Sequence, residues 1–181
     1  MFKISLVLLA LGFSFLGIDG VQEAEKKSPE AAPKASPLDR FKALAGDWYA
    51  LGEDGKPGDR ISNSFRVTAG GSAVIETIFP GQPEEMITLY FMEGKKLVLT
   101  HYCMMGNQPH MDAEIDATKD IVRFKCSGGT NFACATDAHM HEGVYEFTGK
   151  DSFKTKWSAV EGGKTNHEVA LTLVRQAPKA K

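Results

Sequence analysis

From Trp48 onward apolar and polar residues alternate with period two, and turn-forming residues break the alternation at regular short intervals. That pattern belongs to a β-sandwich or β-barrel. It predicts ten strands, at about 46–52, 60–68, 72–79, 85–92, 96–103, 110–116, 121–127, 139–148, 152–160 and 165–175. Charged positions fix several faces, because successive strand residues point to opposite sides and charges avoid a core. Glu142 and Glu146 turn His139, His141, Tyr145 and Phe147 inward. Arg123 and Lys125 do the same for Val122, Phe124 and Cys126, Lys154 and Lys156 for Phe153 and Trp157, and Glu168 for His167, Val169, Leu171 and Leu173. The fourth and fifth strands are apolar on both faces, so His101 is free to point either way. One short helix is expected, with Leu38, Phe41 and Leu44 on one side and Gly46 as its stop.

In an antiparallel up-and-down meander, successive connections alternate between the two ends. The tight turns near 69–71, 93–95, 117–120 and 149–151 then share one end with the helix. The connections at 53–59, 80–84, 104–109, 128–138 and 161–164 share the other, which reads as the mouth. All five histidines and all three cysteines fall at that mouth, His101, His110, His139, His141 and His167 at strand ends and Cys103, Cys126 and Cys134 beside or within the loops. At the closed end an Arg175 guanidinium is placed to stack on Trp48.

Residues 1–20 read as an export signal: Lys3 precedes an apolar run over 4–18 that is shorter than the ~20 residues of a membrane span. Residues 21–37 are rich in Ala, Pro, Glu and Lys and lack the apolar surface to fold, so they read as a disordered linker. The folded domain is 38–176, and 177–181 is a short basic tail. The expected location is the periplasm or the exterior. A net charge of −2 with no basic, aromatic-interleaved stretch argues against nucleic acid, and nothing calls for stable membrane insertion. If a disulfide forms, Cys126 and Cys134, which flank a Gly-rich loop, are the expected pair, with Cys103 left over.

Gly46, Trp48 and Arg175, with the preceding helix, resemble the Gly-x-Trp and terminal Arg of the lipocalin and calycin proteins. The stretches 100–103 (THYC), 106–109 (GNQP), 128–131 (GGTN) and 137–141 (DAHMH), with Trp157, resemble a bacterial exported lipocalin-like family of unknown function. More distantly, ten strands resemble the nitrobindin type, whose members hold haem through one histidine. The resemblance implies a lipocalin-like up-and-down barrel of about ten strands, its helix plugging one end, and implies no activity.

Three functions stay open on these residues, one of them a structural or interaction domain whose mouth pocket is vestigial. The first is a binding module for a small, largely apolar ligand, read at the rim by His101, Asn107, Gln108, Asn131, His139, His141, Tyr145, Trp157 and His167. The alternative is a metal-binding or metal-dependent protein. Same-face strand neighbours such as His139 and His141 stand ~6.5–7 Å apart, and His167 would supply a third ligand to a transition metal such as zinc. Haem ranks behind both. Cys103 shares a face with His101 but has no orienting acid or oxyanion hole, so no catalytic residue is assigned and the chain reads as a binding protein rather than an enzyme.

Overall fold

The computed structural model describes residues 35–175. The segments expected to be a signal and a basic tail, and most of the expected linker, lie outside them. Among the described residues one α-helix, α1 (Leu38–Lys42), precedes ten strands: β1 (Gly46–Ala50), β2 (Asn63–Thr68), β3 (Ala73–Ile78), β4 (Met86–Glu93), β5 (Lys96–Tyr102), β6 (Gln108–Asp116), β7 (Ile121–Thr130), β8 (His139–Gly149), β9 (Ser152–Glu161) and β10 (Lys164–Val174). Each strand pairs antiparallel with the next, and β10 closes on β1 through Tyr49–Val174 and Ala50–Leu173. The structure is a closed ten-stranded meander, as the alternation predicts. Closure pairs the outer strands with each other and leaves neither as an edge. Among the described residues no helix is long and apolar enough to cross a membrane.

The outward faces carry ion pairs where the charges predict them, including Arg123–Glu142 at 2.6 Å, Lys125–Glu114 at 3.0 Å and Lys156–Glu168 at 2.8 Å. Inside, Val122, Phe124, Tyr145, Phe153 and Leu173 are fully buried. Helix α1 enters the closed end with Leu38 and Phe41, and Phe41 stacks on Tyr90 with ring centres 4.3 Å apart. The floor is sealed as expected. Trp48 is fully buried, its Nε1–H donates to the Leu44 carbonyl at 2.7 Å, and the Arg175 guanidinium lies 4.2 Å from its ring centre. Arg175 Nη2 also donates to the Ala43 carbonyl at 3.2 Å, so the last strand is tied to the end of the helix. Gly46 is required here, because its φ is +112° and a Cβ would come 2.8 Å from Arg175 Nη1.

Midway up the barrel the interior turns polar. Glu76 is fully buried. Its Oε1 accepts from Asn63 Nδ2 at 2.6 Å, and its Oε2 meets the hydroxyls of Tyr90 at 2.5 Å and Tyr145 at 2.9 Å. Those hydroxyls are themselves 2.6 Å apart. Tyr145, expected at the mouth, is therefore part of a buried network below it.

Beside a register shift between Thr165 and His167 on β10, two local departures from regular pairing shape the mouth. Strand β7 runs on through Gly128–Thr130, which pair with Gln108–His110 after a register shift at His110/Met111, so the Gly-rich stretch is bulged strand rather than free loop. A second shift falls between Met140 and Glu142 on β8, leaving His141 as the extra residue opposite β9.

Candidate functional site

The mouth holds two separate constellations, an apolar cleft between the strands and a cluster of histidine and cysteine on the rim. A cleft of about 80 Å³ is lined by Asn63, Ile78, Phe79, Met86, His101, Met140, Thr155, Trp157, Val169 and Leu171. Its polar centre is His101. On β5, Leu97, Leu99 and His101 share the buried face, and His101 pairs across with Thr88, which is also fully buried. The Thr88 hydroxyl lies 2.9 Å from His101 Nδ1, and the imidazole packs on the Trp157 indole with ring centres 5.0 Å apart. Burial without a nearby acid pushes the His101 pKa down from 6.5 to about 4, so the ring is neutral at physiological pH. The Thr88 hydroxyl can donate to Nδ1, and in that tautomer Nε2 carries the ring proton. Among the described residues Nε2 has no partner, and neither has the buried Thr155 Oγ1 on the same cleft. A buried polar atom without a partner is rare and costs about 1–3 kcal/mol. Two of them on one apolar cleft are what a ligand's oxygen would satisfy.

Of the residues expected to read a ligand, only His101 and Trp157 line this cleft. The rim amides hold loops together. Asn107 Nδ2 donates to the Ala138 carbonyl at 2.8 Å, while the Gln108 Oε1 accepts from Thr130 Oγ1 at 2.6 Å and Asn131 Nδ2 at 2.9 Å. His167 on β10 pairs with Ala159 on β9 but is exposed. His110 bonds Thr100 Oγ1 at 3.2 Å and faces Glu93, on the outer side as its neighbours require. Cys103 is half-buried, and burial raises its pKa, the wrong direction for a nucleophile.

The inward alternation predicted for β8 fails at the bulge. Tyr145 and Gly143 keep the interior face, but Met140, opposite Ala159, lines the cleft in place of a histidine. One extra residue reverses the faces beyond it. His139 is fully buried beneath the 131–138 loop, its ring stacked on Phe132 with centres 4.5 Å apart, and its Nδ1 lies 2.8 Å from the Asp137 carbonyl. His141 is exposed, with Nδ1 3.2 Å from His139 Nε2. The third group beside them is Cys126 rather than His167: one ligand atom from each of Cys126, His139 and His141 lies within 4.8 Å of the others. Among the described residues no other group of His, Cys, Asp or Glu comes together in this way. All three cysteines are free thiols, and Cys134 is close enough to Cys126 to raise its pKa through charge and a hydrogen bond, after burial as the largest cause.

Haem does not suit the cleft. Pockets for ligands of drug size run to roughly 300–1,000 Å³, and the porphyrin plane could not enter a space of about 80 Å³.

The chain matches no protein-family model, and no curated protein is similar to it. The functional reading therefore rests on the barrel and on the two constellations at its mouth.

The residues that sequence reasoning passed over are Glu76, Thr88, Thr155 and Gly143. Glu76 had a usable signal, since Val74, Glu76 and Ile78 share one face of an apolar strand. Thr88 and Thr155 carried none, because threonine suits either face of a strand.

Proposed function

We propose that this chain is an exported, lipocalin-like binding module whose barrel mouth takes the apolar end of a small molecule bearing one neutral oxygen. The observation that carries the reading is His101, a neutral buried imidazole on an apolar cleft whose Nε2 has no partner among the described residues. The floor formed by Gly46, Trp48 and Arg175 supports the lipocalin-like assignment. The signal-like residues 1–20 support export.

The cleft volume sets the ligand class. A dry cavity of roughly 150 Å³ accommodates benzene, so about 80 Å³ takes a few heavy atoms, the rest of the ligand lying outside at the mouth. A ligand carbonyl, ester or alcohol oxygen would accept from His101 Nε2–H and could also meet the Thr155 hydroxyl. A carboxylate would enter less readily, since no cation lines the cleft to offset its desolvation.

The test is a titration followed by Trp fluorescence and thermal shift, using a matched series of short aliphatic and aromatic alkanes, alcohols, ketones and acids. Alcohols and ketones should bind and the matched alkanes should bind less, with the difference abolished in His101→Leu and retained in His167→Ala. Equal binding of alkanes and alcohols, or full binding by His101→Leu, would overturn the reading.

A further inference from the structure

We propose that Cys126, Cys134, His139 and His141 form a zinc site on the rim, separate from the His101 cleft. In sequence these four make the pattern C-x7-C-x4-H-x-H, a donor set of two thiolates and two imidazoles that suits a tetrahedral d10 cation.

The geometry is largely built. In a tetrahedral zinc site the metal–nitrogen and metal–sulfur bonds of ~2.0–2.1 Å and ~2.3 Å place neighbouring donors roughly 3.3–3.8 Å apart. His139 Nε2 and His141 Nδ1 already stand 3.2 Å apart. The donors of Cys126, His139 and His141 all lie within 4.8 Å of one another, near the spacing that one shared ion requires, and the exposed His141 side chain is free to adjust. His139 is oriented for the task. Its Nδ1–H donates to the Asp137 carbonyl at 2.8 Å, which leaves the lone pair on Nε2, and the Phe132 ring fixes its plane. A backbone carbonyl on the far nitrogen is the usual support of a zinc-bound histidine.

Cys134 supplies the fourth donor. Its thiol is not among the donors that already lie within 4.8 Å of one another, and it belongs to the same exposed loop as Phe132 and Asp137, so this loop would close the fourth bond on the metal. That loop is held in place from the other side by the bond from Asn107 Nδ2 to the Ala138 carbonyl. The β8 bulge is what makes the site. Regular pairing would have sent this face into the barrel, whereas the extra residue brings both imidazoles to Cys126. Zinc would hold both thiols as thiolates, and four protein donors leave no open position, so the site is structural rather than catalytic. It would join β7, β8 and the long rim loop between them. The two thiols are also the pair that a disulfide would consume, and zinc and disulfide exclude each other.

The experiment uses untagged protein from zinc-replete culture, dialysed without chelator and analysed by native mass spectrometry and elemental analysis. One zinc per chain is expected, with both thiols recovered reduced after denaturing alkylation. Cobalt substitution should give a tetrahedral spectrum with thiolate-to-metal charge transfer. His141→Ala and Cys134→Ser, at exposed positions that leave the fold intact, should each weaken zinc binding by about 10–100-fold or more, while His167→Ala leaves it unchanged. Any of three results would overturn the site: a metal-free wild type, a Cys126–Cys134 disulfide in the zinc-replete protein, or undiminished affinity in both His141→Ala and Cys134→Ser.

Discussion

The Trp157 indole rests directly on Gly143. A Cβ built at Gly143 would fall 3.1 Å from the Cη2 and Cζ3 atoms of that ring, closer than ordinary van der Waals contact. The two residues face each other across the β8–β9 pair, so the absent side chain sets how deep the indole lies and how it meets His101.

Gly143→Ala should therefore push Trp157 toward His101 and narrow the cleft. Overpacking of this kind costs about 1–3 kcal/mol. Chemical denaturation should show a lower midpoint with an unchanged slope, and ligand titration should show weakened binding. A neutral effect on both would mean that the indole has room to retreat.

His101 makes the barrel acid-sensitive. Its folded-state pKa is depressed from 6.5 to about 4, so the unfolded chain binds the extra proton between those values. The contribution is fully present above pH 6.5 and is lost as pH falls through about 4. With this side chain 2 % exposed, the shift corresponds to a loss on the order of 3 kcal/mol. Urea midpoints measured from pH 7 to pH 4 should fall more steeply for the wild type than for His101→Leu. Parallel curves would remove His101 as the cause.

Glu76 works in the opposite direction. Burial raises its pKa above 4.5 despite hydrogen bonds from Tyr90, Asn63 and Tyr145. Tyr90 and Tyr145 both donate to Oε2, at 2.5 and 2.9 Å, and their hydroxyls stand 2.6 Å apart. Because the folded-state pKa is raised, this contribution is present below pH 4.5 and declines as pH rises through the folded value. Glu76→Gln should keep the network and flatten the decline above pH 4.5. Glu76→Leu should cost about 1–3 kcal/mol for each partner left bare. Equal pH profiles for Glu76→Gln and the wild type would show the acid to be ionised in both states.

Much of the architecture was legible in the chain because it depends on local, additive signals. Alternation set the number of strands, and the charges at Arg123, Lys125, Glu142, Lys156 and Glu168 set their outer faces. The Trp48–Arg175 floor followed from those strand assignments. The site was harder to read, because side-chain direction beyond a bulge depends on how the partner strand pairs. His139 and His141 were placed inside by counting in twos. The irregularity at Met140/Glu142 gave the interior to Met140 and left the two imidazoles beside Cys126. His167 was expected to join them, and instead stands exposed opposite Ala159.

By itself, then, the sequence determined a closed ten-strand meander with its histidines and cysteines at one mouth. Period and charge are properties of single strands, and antiparallel alternation carries them to one end. Only the tertiary structure decided which of those groups meet. Strand register, the β8 bulge and the burial of Glu76 and His101 arise from packing between segments distant in the chain. They divide one apparent rim into an apolar cleft around His101 and a thiol–imidazole cluster around His139.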